Sequence, residues 1–278
     1  FFIQPFTIPT SSLEKTLLVG DFLFVSKVNY GARVPQTAIA FPMVHDTIPL
    51  AKVKSYSKFP QIPEMRFPGF EKPEHNDIMV FNWPRDTVYQ FFDYTSGRRA
   101  DKPLDKKSNY VKRTVGLPGD NLEVKDGIVY INNKVLDLGD RAQIQYSYTV
   151  TTDGTPLDPN FIYKDLGVTE GVQTMPDNKY YFFALTQQNA ERLQQLSYVK
   201  DVTRNISKGA EPHHTIKDFL AIFPHTKDWN LDNLGPIHIP AKGEVVQLTT
   251  ETLPFYKGII TDYEHNTLEV KDGIILIN

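Results

Sequence analysis

Hydrophobic positions along the chain come in short β-branched and aromatic runs bounded by Gly, Pro, Asn and Asp, the pattern of strands rather than helices. Residues 1–33 read as a loop followed by a strand over 21–28. A Pro-rich stretch, 35–73, carries Phe41, Met43, Phe59, Met65, Phe67 and Phe70 and is expected to be irregular. Residues 77–83 predict a short buried strand ended by Pro84. A charged stretch, 98–107, precedes another strand beginning at Tyr110. Further on, residues 180–185 predict a strand and 187–196 a helix, with a second helix expected over 212–223.

The clearest local signal is a hairpin. Residues 122–125 and 128–131 flank Asp126-Gly127, a pair suited to the positive φ angles of a type I′ turn. The phrase Leu-Glu-Val-Lys-Asp-Gly-Ile-x-x-Ile-Asn occurs at 122–132 and again at 268–278. Two copies make no solenoid. They read as a local duplication with residues 143–261 inserted between them.

Composition narrows the function classes. The chain has 278 residues, 40% hydrophobic and 23% charged, enough for one large domain or two ordinary ones. A formal charge of −3 with both signs dispersed offers no basic face, so nucleic acid is not an expected partner. With no cysteine, disulfides, thiolate metal sites and a cysteine nucleophile are excluded. The seven histidines show no metal-ligand spacing, and His213-His214 read as a polar loop. No metal and no cofactor are expected. No run of about 18 apolar residues is present. The chain opens on Phe1-Phe2-Ile3 without Met and stops on an apolar strand after Asp272-Gly273, so further residues are expected at both ends.

Two short segments carry candidate chemistry. Thr10-Ser11-Ser12 alone is compatible with an ordinary hydroxyl-rich loop or helix N-cap. Lys112-Arg113 alone is compatible with a solvated basic pair, although Lys112 sits in an otherwise apolar strand between Val111 and Val115. Taken together the segments say more. Ile8-Pro9-Thr10-Ser11-Ser12-Leu13, with Thr16-Leu17 and Gly20-Asp21 in register, resembles the nucleophile box I-P-S-x-S-M-x-P-T-L-x-x-G-D. Residues 110–120 resemble the lysine box Y-[IV]-K-R-x-[VI]-G-x-P-G-D, and residues 76–81 resemble a G-D-[IV]-V-V-F strand. These are the boxes of bacterial type I signal peptidases (leader peptidases). The resemblance covers about a fifth of the chain and suggests a Bacteroidetes-like form with a large insert.

The resemblance implies a mostly β fold: an antiparallel β-sheet catalytic core at 1–142, including the irregular 35–73 stretch, and an inserted α+β domain at 143–261. Residues 262–278 would return to the core, truncated before the final family box. It also implies a Ser/Lys dyad, with Ser12 as nucleophile and Lys112 as general base. A serine hydroxyl needs a base to remove its proton during attack. Lysine ordinarily titrates near ~10.4, and a pKa lower by ~3 corresponds to roughly 4 kcal/mol of desolvation that the fold must supply. The oxyanion would be held by the Ser12 N–H and the Thr10 hydroxyl. Phe6, Ile8, Leu13, Leu17, Tyr110 and Val111 fall on positions that line pockets for small residues before the cleavage site; each is equally readable as core.

Three departures stand out. Leu13 replaces Met, Lys15 replaces Pro, and the G-D-N-R-x-x-S-x-D-S-R box is absent, which leaves a question over the activity of the chain as it stands. That box is expected beyond Asn278. The sequon Asn205-Ile206-Ser207 reads as chance. The expected function is a membrane-associated serine endopeptidase removing signal peptides from exported preproteins at the extracytoplasmic face of the bacterial inner membrane, with the lipid surface as a partner. The alternatives are a self-cleaving repressor-type Ser/Lys protease and a non-catalytic β-rich binding module.

Overall fold

The computed structural model describes residues 2–42, 44, 47–48, 51, 53–84, 86, 100–139, 142–209 and 229–278. The expected helix over 212–223, the His213-His214 pair, Met43 and Phe1 lie outside them. Among the described residues the fold is mostly β, with several antiparallel sheets and two short α-helices. The chain forms two compact units, Phe1–Thr114 and Val115–Asn278.

In the first unit, β1 (Ile3–Thr7) pairs antiparallel with β2 (Phe22–Ser26), and β3 (Ile78–Asn82) with β4 (Asn109–Arg113). The loop expected before residue 21 is therefore corrected, since residues 3–7 are a strand. Pro5 hid it. Proline removes a ladder donor, but β1 has a single partner strand and its other edge tolerates the loss. The described residues of the 35–73 stretch include no regular strand, as expected, yet the stretch is not shapeless. Antiparallel bridges Arg33↔Arg66, Thr37↔Gln61, Ala40↔Tyr56 and Thr47↔Lys54 nest inside one another, so the stretch runs out and back upon itself. Its base is closed at Gly31, where φ is +83° and a Cβ would lie 2.0 Å from the Phe67 carbonyl oxygen, leaving room only for glycine.

In the second unit, the hairpin β5 (Asn121–Lys125)–β6 (Ile128–Ile131) lies in a four-stranded sheet of order β12-β5-β6-β7, with β7 at Lys134–Val135 and β12 at Leu234–His238. Its turn has φ +50° at Asp126 and +73° at Gly127, the expected type I′ geometry. The repeated phrase folds the same way, as β13 (Leu268–Lys271) and β14 (Ile274–Ile277), with φ +50° and +79° at Asp272 and Gly273. Even the side-chain details recur. Asn132 Oδ1 accepts from Asn121 N at 3.0 Å and Asn278 Oδ1 from Thr267 N at 2.7 Å. The Glu123–Lys125 pair, at 2.7 Å, is matched by Glu269–Lys271, at 3.0 Å.

A second four-stranded sheet, β11-β8-β10-β9, holds the main core. Its strands are β8 (Gln145–Thr152), β9 (Val172–Met175), β10 (Lys179–Thr186) and β11 (Val199–Arg204). Helix α1 (Gln187–Gln194) follows β10 directly, as expected, with Thr186 as N-cap accepting from Asn189 N. Ala190 and Leu193, three apart on one helix face, are buried with Val150, Phe182 and Leu185. The other α-helix among the described residues is α2 (Leu253–Gly258).

Candidate active site

Residues 8–21 leave and re-enter the β1–β2 ladder at one point. The Ile8 N–H donates to the Asp21 carbonyl, and the Gly20 N–H to the Ile8 carbonyl, both at 2.9 Å. Between these pins the chain makes consecutive turns, with Glu14 N donating to Ser11 O at 2.8 Å and Leu17 N to Leu13 O at 2.8 Å. Asp21 also accepts from Leu18 N through its carboxylate at 2.8 Å. A closed loop of this kind holds Ser12 at an exposed tip while fixing where that tip lies.

Lys15 has φ +67°, in the left-handed region. Proline, whose ring fixes φ near −65°, is excluded there. The turn after Ser12 thus differs from one built around a proline, and Lys15 in place of Pro permits it.

Lys112 comes from β4. The register Met79↔Lys112, Val80↔Val111 and Phe81↔Tyr110 sends its side chain to the same face as Met79. Its Nζ lies 2.6 Å from Ser12 Oγ, across one hundred positions of sequence. Lys112 is half-buried, and burial lowers its amine below the ordinary lysine value. The Tyr110 ring lies 5.8 Å from Nζ, and Tyr110 in turn packs on Trp83 with centroids 4.9 Å apart. Arg113, next in β4, donates to Thr16 Oγ1 at 3.3 Å and to the Asn76 carbonyl at 3.4 Å. Adjacent residues of one strand therefore touch two points of the Ser12 turn.

Of the other candidate residues, Thr10 is exposed two positions before Ser12. Phe6 is half-buried on β1, and Leu13 and Leu17 are half-buried within the turn. Ile8 is only 3% exposed, Val111 is half-buried and Tyr110 is 39% exposed. Sequence reasoning did not single out Met79 or Trp83. The signal for Met79 was its position within the strand box, which becomes specific only once the β3–β4 register is known. No group of three or more His, Cys, Asp or Glu residues that could hold a metal ion occurs among the described residues.

With this geometry in place, residues 1–191 match the family model described as signal peptidase, peptidase S26. The chain belongs to this family. It is similar to proteins named Signal peptidase I from Rickettsia akari (strain Hartford), 27% identical over 195 residues, covering 65% of this chain and 59% of the relative. A second, from Rickettsia canadensis (strain McKiel), is 28% identical over 195 residues, covering 65% of this chain and 60% of the relative. A third, from Rickettsia prowazekii (strain Madrid E), is 29% identical over 135 residues, covering 49% and 37%. The chain thus spans about three fifths of the length of the first of these relatives. No solved structure matches. The S26 match takes in every candidate site residue, from Phe6 to Lys112.

Proposed function

We propose that this S26-family chain is the catalytic part of a membrane-associated serine endopeptidase that removes N-terminal signal peptides from exported preproteins. The observation that carries the reading is the 2.6 Å approach of Lys112 Nζ to Ser12 Oγ, together with the burial that lowers the amine's pKa. A neutral amine has a lone pair to accept the hydroxyl proton, whereas an ammonium has none.

The reaction follows from these two groups. The Ser12 O–H donates toward neutral Lys112 Nζ. As Oγ forms a bond to the scissile carbonyl carbon, the proton passes to Nζ, giving an ammonium and a tetrahedral oxyanion. The Ser12 N–H and Thr10 hydroxyl are the donors assigned to that oxyanion. Collapse breaks the C–N bond, and Lys112 returns its proton to the leaving amine. Neutral again, Lys112 takes a proton from water as it attacks the acyl ester, and the ester breaks with Ser12 regaining its hydrogen. Phe6, Ile8, Leu13, Leu17, Tyr110 and Val111 are the apolar groups assigned to the small side chains preceding the cleavage point. No step uses a metal or cofactor.

Membrane association draws support from one face of the β1–β2 sheet. Ile3, Pro5 and Thr7 lie opposite Ser26, Phe24 and Phe22, and all six are exposed. Phe22 and Phe24 are each 79% exposed, an apolar pair suited to a lipid interface. No helix among the described residues is long and apolar enough to cross a membrane. The extracytoplasmic face of the inner membrane is the assigned location, where exported precursors present their cleavage points.

The test is processing of a radiolabelled preprotein by the full-length protein carrying Ser12→Ala or Lys112→Ala. Loss of cleavage in both supports the dyad; cleavage retained in both removes it.

A further inference from the structure

Asp86 and Lys102 form an ion pair at 3.1 Å whose side chains are 2% and 0% exposed, within the same unit as the Ser12–Lys112 pair but with no part in its chemistry. Asp86 Oδ2 also accepts from Ser108 N at 2.7 Å and from Ser108 Oγ at 2.8 Å. Ser108 is held on its third side too, its carbonyl accepting from Trp83 N at 2.8 Å. Ser108 immediately precedes β4. Around it, Lys107 Nζ donates to the Pro84 carbonyl. Asn82 Nδ2 donates to the Lys107 carbonyl at 2.9 Å and to Asn109 Oδ1 at 3.1 Å. The Asp105 carboxylate accepts from Thr37 N and Oγ1 at 3.0 and 2.8 Å.

A five-residue, two-stranded ladder needs such a fixture. In a tight hairpin the turn fixes the register of its strands. The connection from β3 to β4 runs over residues 83–108, far too long to do so. Hydrophobic pattern does not fix it either, because Met79, Val80, Phe81, Tyr110 and Val111 are apolar on both faces. A slip of one position would turn Lys112 to the opposite face of the ladder, away from Ser12. Buried ionic groups are rarely efficient sources of stability, and their best-attested use is to specify register.

The geometry points to Asp86 as a positioning residue. Through Lys102 and Ser108 it sets the β3–β4 register and so delivers Lys112 to Ser12. Trp83 extends the same fixture to the site, since its N–H holds Ser108 and its ring backs Tyr110 beside Lys112. This inference rests on the proposed dyad only for its consequence. The register itself is measurable without any proteolysis.

The chain has no cysteine, so disulfide trapping has no background. Opposed positions of an antiparallel pair lie within disulfide reach. In the full-length protein, the pair Val80→Cys/Val111→Cys reports the observed register and Met79→Cys/Val111→Cys a one-residue slip. With Asp86 intact, mild oxidation should cross-link the first pair about tenfold more than the second. Adding Asp86→Leu with Lys102→Met, which removes both charges of the pair together, should cut that preference to about threefold or less. Asp86→Asn with Lys102→Met, which keeps an acceptor for Ser108 without stranding the lysine ammonium, should retain most of it. An Asp86→Leu/Lys102→Met variant that keeps the tenfold preference contradicts the inference, whatever happens to processing. Loss of processing with the register intact points instead to another role for Asp86. An intact register effect in a protein that never cleaves preproteins would sink the protease reading alone.

Discussion

Lys112 and Met79 are directly opposed in the β3–β4 ladder, so the amine that reaches Ser12 shares its face of the sheet with a thioether. Opposed residues bring their Cβ atoms within about 5 Å, close enough for Met79 to displace water from the lysine stem. Met79 is thus placed to shield the Lys112 stem, whose burial lowers the amine's pKa.

Shortening Met79 should therefore rehydrate the amine. In Met79→Ala the ammonium is favoured, and the acidic limb of the kcat/KM profile, where activity rises as Lys112 loses its proton, should move to higher pH. A move of about one pH unit would lower activity on that limb roughly tenfold, with little change on the alkaline plateau. An unmoved limb would show that Met79 does not govern the lysine's solvation.

The same burial has a cost to stability. Lys112 titrates lower in the folded chain than in the unfolded one, so the folded state binds fewer protons and stability rises with pH through that window. The penalty is full below the folded pKa and vanishes above the unfolded value of 10.5. Lys112→Met should accordingly melt at a higher temperature than the native protein at pH 7, and the gain should shrink as the pH climbs toward 10.5. Differential scanning calorimetry across that range checks both sign and trend.

Lys15 offers a backbone test. At φ +67° a non-glycine residue pays about 1 kcal/mol, so Lys15→Gly should keep activity and leave stability unchanged or raised by up to that amount. Lys15→Pro cannot hold φ +67°, so it should force the turn toward the conformation a proline admits and lower the melting temperature. An unchanged melting temperature in Lys15→Pro would mean the turn already holds another conformation.

The legible parts of the sequence were those in which local chemistry and local structure coincide. Asp126-Gly127 and Asp272-Gly273 demand positive φ, and both hairpins follow. The strand at Lys179–Thr186 and the helix after it were visible because their periods change at Thr186, an N-cap. Ser12 and Lys112 stood out through the boxes around them. Less legible was whatever long-range pairing decides. β1 was masked by Pro5, which an edge strand admits. β12, a five-residue strand containing Pro236, is a strand because it finds β5 more than a hundred positions earlier. Nothing in the sequence singled out Asp86, and only the fold buries it against Lys102 and Ser108.

The most direct measurement is the titration of Lys112 itself in the full-length protein, followed by NMR through its labelled ε-carbon. The expected result is a midpoint below 10.5, moving toward that value in Met79→Ala. A Lys112 that titrates at its ordinary value, with Ser12 intact, would leave Ser12 without a base at neutral pH and would contradict the proposed dyad.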